Sequence, residues 1–318
     1  MRVLFLGGTG PVGQASVPHL LSAGHDVAVA HSGAHEPEAL AALHHLHGPR
    51  DELLAPDGPA ELWRPDAIVD TLAGGATAAK ARTTAALAER AGASHVVVIS
   101  SVDVYRHSAD AGVDGNPPTA LARDRLPLRE DAPRRSAPSP GSGTAHDNVA
   151  MEDAIGGAPH VTILRPGAIY GPYLHRYLLR EWYFVGRLAR SERRLPLPAG
   201  GTQLFHRVAL DVVGRAIAAA LARAPRGVWA ANVGDAQDLT FGGLASLVAA
   251  RLDWRWEPEE VAWDAGDHPW NVRHPVLMDT SRLRDVLGVV TPDGQSATQA
   301  QIDWLWEHRR AVADFTAA

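Results

Sequence analysis

No cysteine occurs anywhere in the 318 residues. That removes disulfides, thiolate metal sites and thiol nucleophiles together, and it is compatible with the cytoplasmic location expected here. Long apolar runs are missing too. The opening "MRVLFLGGTG" holds four consecutive apolar residues before glycine, against about 7–15 for a signal-peptide core and about 20 for a spanning helix. No later run is long enough, so neither a targeting segment nor a membrane partner is expected. Positive charge is not in excess: the formal net charge is -6, which argues against a nucleic-acid surface. There is no internal repeat. What remains is 46% hydrophobic and 21% charged, the balance of a soluble globular protein with room for a sizeable core.

Short apolar runs closed by glycine or polar residues alternate with helical patterns. The strands read as Val3–Leu6, Asp26–Ala30, Ala67–Thr71, His95–Ser101 and His160–Pro166. Helical spacing falls between them, including "EALAALHHL" and the Ala-rich "AAKARTTAALAERAGA". This alternation predicts repeated βαβ units: an α/β fold with a doubly wound parallel sheet. Residues 106–143 are rich in Pro, Gly, Ala and Arg, long enough to be a lid or partly disordered. Beyond Tyr173 aromatic and arginine residues cluster, a shift in composition that marks a smaller C-terminal α/β domain. The expected division is 1–172 for the first domain, with 206–234 returning to it, and 173–205 plus 235–318 for the second.

"GGTGPVGQ" follows the first strand and opens the first helix, with Gly7, Gly10 and Gly13 in G-x-x-G-x-x-G spacing. Bare amides at a helix N-terminus suit a diphosphate, and side chains at these positions would push it away. Thr9, Pro11 and Val12 belong to the same loop. A Rossmann-type site selects NAD by an acid at the end of the second strand, or NADP by an arginine nearby. Here the strand ends in His31, Ser32 and Gly33, and Glu36 comes late. Arg50 either reaches an adenosine phosphate or is a solvated arginine, so the choice between NAD and NADP stays open. "HHLH" (His44, His45, His47) has no acidic partner at ligand spacing, and no metal is expected.

Together "GGTGPVG", "DAIVDTLA", "VVVISSVDVY", "LRPGAIYGP", "FHRVALDVV" and "VLMDTSRLRDVLG" resemble the extended short-chain dehydrogenase/reductase family, the NAD-dependent epimerase/dehydratases. The resemblance runs from Met1 to about Trp306. It implies a nicotinamide dinucleotide across the carboxyl edge of the sheet, near Leu72, Ala73, Ser100, Pro166 and Gly167, with the smaller C-terminal α/β domain as the substrate domain. It implies a catalytic serine, here Ser101, and then a Tyr-x-x-x-Lys pair. Glu152, taken as the glutamate four residues after that lysine, puts Asn148 at the lysine position and Thr144 at the tyrosine position. Lys80 is the only lysine, with Ala76 four residues before it, so the chain has no Tyr-x-x-x-Lys at all.

An aliphatic hydroxyl does not titrate usefully, and Asn148 offers a hydrogen bond to a ribose but no charge. Losing a positioned acid–base group typically costs about 10²–10⁴ in rate. In a related spacing, Tyr-Asp-Lys, His146 stands at the tyrosine, and its imidazole suits proton shuttling with Asp147 or another carboxylate to tune it; the plain alternative is an exposed histidine at a helix start. Tyr105 is a further catalytic candidate that otherwise supports the fold. Asp103 is expected near the site mouth, and Tyr170 and Tyr173 at the nicotinamide end. His175, Tyr177 and His206 face substrate or pack, and Arg207 matches a family arginine that meets a substrate phosphate or hydroxyl.

The expected function is an NAD(P)-dependent, biosynthetic enzyme acting on a small hydroxyl or carbonyl metabolite or a sugar-like substrate, with altered acid–base residues. The alternatives are a non-redox cyclase, isomerase or dehydratase, or a silent dinucleotide sensor. A small molecule is the expected partner, and a homodimer is left open.

Overall fold

The computed structural model describes residues 1–72, 75–138, 140, 146–158, 160–265, 268–291 and 293–317. Its centre is a seven-stranded sheet, all parallel. The sheet strands are β1 (Arg2–Leu6), β2 (Asp26–His31), β3 (His44–His47), β4 (Ala67–Asp70), β5 (His95–Ile99) and β6 (Val161–Pro166), and the seventh is Val228–Val233. Short pairs stand outside the sheet: β7 (Ala168–Tyr170) with β9 (Arg207–Ala209), and β8 (Arg194–Pro198) with β11 (Glu257–Val261). Val228–Val233 is therefore β10, and the sheet order is β10-β6-β5-β4-β1-β2-β3. Its reversal beside β1 creates the crevice at the carboxyl ends where ligands of open α/β sheets bind.

The apolar runs are continuous because both faces are covered. In β1, Val3 and Phe5 join the core layer that holds Val17 and Leu20 of helix α1 (Pro11–Ser22) and Val213 and Ile217 of Leu210–Arg223. Leu4 and Leu6 join the opposite layer, with Leu87 of Ala78–Ala91 and Met151 and Ile155 of Asn148–Ile155. Helix α1 and Leu210–Arg223 meet closely: a Cβ on Gly214 would lie 2.5 Å from the Ala15 carbonyl oxygen. A third cluster, around Phe184, Phe241 and Trp270, forms the core of the smaller part. No helix among the described residues is long and apolar enough to cross a membrane.

Two segments depart from the sequence reading. "EALAALHHL" is not a helix: a single 3-10 turn, Glu38–Leu40, buries Leu40, and the chain then extends into β3. The edge of β2 offers a full parallel ladder, Ala28↔His44 to His31↔His47, and that outweighs a helix of nine residues, a length that is marginal without tertiary support. The stretch 106–143 is structured over residues 106–138, and positions 139 and 141–143 lie outside the described residues. The structured part carries a helix, Arg106–Ala111, and bridges from Tyr105 to Arg134 and from Leu128 to Met278, with Leu128 fully buried.

Candidate functional site

The glycine turn starts with Gly7 at φ 74, a left-handed conformation that suits glycine. Gly13 has a different task. A Cβ there would lie 1.9 Å from the Gly8 carbonyl oxygen, so Gly13 lets α1 close against the turn. Gly10 precedes α1 with no side-chain cap, and Pro11 takes the first helical position. The first-turn amides are thus left for a ligand.

Two cavities flank this turn. One, of about 470 Å³, is lined by Gly7, Thr9, Gly10, His31, Ser32, His35 and Arg50, among others. The other, of about 780 Å³, is lined by Pro11, Val12, Leu72, Ser100, Ser101, His146, Asn148, Pro166, Gly167 and His175, with Tyr177 and Arg180. Arg50 is not free for a phosphate. Its guanidinium is held by the buried Asp70 carboxylate at 2.5 and 3.2 Å and by the Thr84 hydroxyl at 2.6 Å. A ligand phosphate would have to compete with Asp70.

Helix Asn148–Ile155 presents the catalytic candidates. Asp147 caps it, accepting from the Val149 and Ala150 amides. Further along, Glu152 accepts Ser100 Oγ at 2.6 Å and Arg165 Nε and Nη2 at 2.9 and 2.7 Å, which clamps the helix to β5 and β6. Asp147 is therefore a cap, and the carboxylate that reaches His146 is Asp103. The Asn148 side-chain amide lies 2.7 Å from Asp103 Oδ1 and 2.8 Å from His146 Nε2. The Ala76 amide donates to His146 Nδ1 at 3.1 Å. The Ala76 N–H and the Asn148 amide nitrogen both donate, whereas a neutral imidazole accepts at one nitrogen only; with Nδ1 as the acceptor, the Nε2–H faces a donor in Asn148. Asp103 Oδ2 has no hydrogen-bond partner among the described residues; it stands 3.8 Å from His146 Nε2 and 3.7 Å from Arg135 Nη2. Burial pushes the Asp103 carboxyl up to about 6, against the pull of the Asn148 hydrogen bond and the Arg135 charge. Ser101 caps the adjoining 3-10 turn by accepting the Asp103 amide.

Several expectations are corrected. The Tyr105 phenol is not on the cavity; it is fully buried, donating to Asn232 Oδ1 and accepting from Arg165. Tyr170 is also in the core, donating to Asp235 at 2.6 Å, and burial raises its phenol. His206 spends both ring nitrogens on backbone, the Asp235 carbonyl and the Met278 amide. Arg207 does not face substrate: it is buried between Glu181 and Asp238, at 2.9 and 2.8 Å, and it also donates to Thr298. Asp103 lies behind the cavity wall under Asn148 and not at its mouth. Tyr173 binds Gln14 of α1 and is not among the lining residues named above. Ala73 and Thr144 lie outside the described residues.

His175 lines the cavity with a buried Nδ1 that has no hydrogen-bond partner among the described residues, its imidazole lowered by burial and then by Arg176. Arg180 was missed. Its guanidinium donates to the Ile169 and Tyr177 carbonyls on the cavity wall, and one arginine among many in "YLHRYLLREWYFVGRLARSERR" gave no signal. The "HHLH" motif also gains an acid that sequence spacing did not offer, because the loop after β2 returns Glu36 to it. Glu36 lies 3.6 Å from His45 Nε2 and 3.4 Å from His47 Nε2.

No family model and no curated protein sequence matches the chain. Solved structures do. UDP-glucose 4-epimerase from Thermotoga maritima, solved with UDP-glucose, matches at TM-score 0.73 and 18% identity, over 97% of this chain and 100% of that one. The chain has the fold of the extended short-chain dehydrogenase/reductases. dTDP-glucose 4,6-dehydratase from Streptomyces venezuelae, solved with NAD, matches at TM-score 0.71 and 21% identity, over 99% and 100%. A UDP-glucose 4-epimerase from Stenotrophomonas maltophila, with bound NAD, matches at 0.71 and 17% over the whole of both chains. At these identities the likeness is one of extended short-chain dehydrogenase/reductase fold.

Proposed function

We propose that the chain binds NAD or NADP along the two cavities and acts on a small hydroxyl or carbonyl substrate, sugar-like in character, with His146 as its acid–base residue. One observation carries this reading: a single cavity wall holds Ser101, His146 and Asn148, backed by the buried Asp103 carboxyl. The residues present fit the dinucleotide's diphosphate, since the uncapped start of α1 and the positive-φ turn leave bare amides between the cavities. Gly7, Thr9 and Gly10 would hold the adenosine half with Ser32, and Pro11, Val12, Ser100, Pro166 and Gly167 the nicotinamide half. When bound, the nicotinamide supplies a hydride acceptor or donor.

The chain's own residues supply the proton handling. His146 Nδ1 carries the lone pair, and a substrate hydroxyl that replaces the Ala76 amide gives its proton to that atom. On the far side the Asp103 carboxylate, with Oδ2 3.8 Å from Nε2 and Oδ1 accepting the Asn148 amide, stabilises the imidazolium that results, as a carboxylate does for a general-base histidine. Ser101 donates its hydroxyl proton to the substrate oxygen. Arg180 offers its guanidinium to an anionic group on the substrate, which suits the nucleotide sugars bound by the two epimerase neighbours.

The protein is titrated with NADH and NADPH, then screened against nucleotide sugars. His146→Ala should slow turnover by about 10²–10⁴ and leave dinucleotide affinity unchanged. Binding of neither nucleotide ends the proposal, and unchanged turnover removes His146 from it. The uncharged Asn148 at the lysine position favours a second reading, a non-redox isomerase, cyclase or dehydratase that keeps the dinucleotide. Turnover with no transient reduced nicotinamide and no isotope effect from deuterium on the substrate carbon would favour it.

A further inference from the structure

We propose that His31, Glu36, His45 and His47 form a binding site for a divalent transition-metal ion, zinc being the best match, at the outer edge of the sheet. The proposal does not rest on the dinucleotide reading. Three independent segments converge here: the last residue of β2, the loop that follows it, and β3. His45 and His47 are two apart on one strand and share a face, and His31 is paired with His47 in the parallel register. One ligand atom from each of the four residues lies within 4.8 Å of the others.

Zinc bonds of about 2.0–2.1 Å to nitrogen and oxygen place tetrahedral ligand atoms about 3.3–3.4 Å apart. Glu36 Oε2 is already 3.4 Å from His47 Nε2. His31 Nε2 and His45 Nδ1 are 2.8 Å apart in a direct hydrogen bond, so they must separate by about half an ångström. The supporting shell exists. The Leu40 carbonyl accepts His45 Nε2–H at 2.8 Å, which frees Nδ1, the pattern by which ligating histidines are oriented. For His31 to ligate through Nε2, its proton moves to Nδ1 and the 3.2 Å contact from the Gly33 amide is lost.

Three imidazoles and a carboxylate select zinc, cobalt or nickel over calcium or magnesium, which prefer all-oxygen sets. Four protein ligands close the coordination sphere, so the ion would be structural, tying the loop after β2 to the sheet beside the cavity that His31 lines. His31 is buried and the His45 side chain is little exposed, while His47 and Glu36 are open to solvent by about half and give an entry path.

Chelator-treated protein is titrated with cobalt chloride and followed by the visible band of tetrahedral cobalt, then challenged with zinc chloride. One equivalent per chain, displaced by zinc, and a rise in Tm on loading are expected. His47→Ala and Glu36→Gln change partly exposed groups. Each should fold as the parent does without metal, weaken cobalt binding at least about 10–100-fold and abolish the Tm rise. No tetrahedral band, or a band equally strong in His47→Ala, as adventitious binding by the chain's other histidines would give, overturns the proposal.

Discussion

Replacing Asp103 with asparagine removes a charge while keeping the shape, and its effect follows from burial. The carboxyl is 2% exposed and is pushed from the ordinary carboxylate range to about 6. A rise of about two units, at about 1.36 kcal/mol each, corresponds to a cost of about 3 kcal/mol for holding the ionised form in the fold. The folded state keeps the proton at pH values where the unfolded chain has lost it. Stability is therefore lost as pH rises from about 4 through about 6, and the full cost stands above that window. Asparagine carries none of this cost. Asp103→Asn should be more stable than the parent by up to about 3 kcal/mol near pH 7, with the gap closing toward pH 4. Urea unfolding followed by tryptophan fluorescence across that range reads it directly. The opposing force is Arg135, buried and 3.7 Å from Asp103 Oδ2, though it also reaches Asp147 at 3.1 Å. A variant less stable than the parent near pH 7, with the deficit shrinking as pH falls toward 4, would mean that the Arg135 pair outweighs desolvation, and the reasoning fails.

Gly13→Ala forces a Cβ onto the Gly8 carbonyl oxygen. It should cost about 1–3 kcal/mol of stability and loosen NADH and NADPH by on the order of tenfold or more, about 1.4 kcal/mol per decade; unchanged affinity by calorimetry would contradict the assigned packing. Arg207→Leu leaves Glu181 and Asp238 buried without their cation. It should destabilise by about 3–5 kcal/mol with KM unchanged in the folded fraction. A raised KM at unchanged stability would return Arg207 to the substrate.

The sheet was legible wherever a strand is buried on both faces. β1, β2, β4, β5 and β6 read as apolar runs because alternate residues such as Val3 and Leu4 feed opposite core layers. β3 was not, since "HHLH" has an edge strand's polarity and follows a stretch with helical spacing. The glycine loop was legible because its chemistry is local. The roles of Arg207, Tyr105 and Tyr170 were not, because their partners stand far along the chain. Glu181 and Asp238 lie 26 and 31 positions from Arg207, and Asn232 lies 127 from Tyr105. Sequence counting placed Asn148 and His146 on the cavity wall, but the carboxyl behind them, Asp103, is brought there by packing alone.

The position of β10 bears on how the molecule is made. β6 is buried along its whole length, and its outer neighbour, Val228–Val233, leaves the ribosome much later. Helix Leu210–Arg223, which covers α1, also emerges late. A nascent chain stopped near residue 172 would hold the glycine loop but present an open apolar edge and a bare helix flank, a template for aggregation. A fragment ending there is thus expected not to fold by itself, because the strand and helix that complete its sheet and cover α1 come later in the chain.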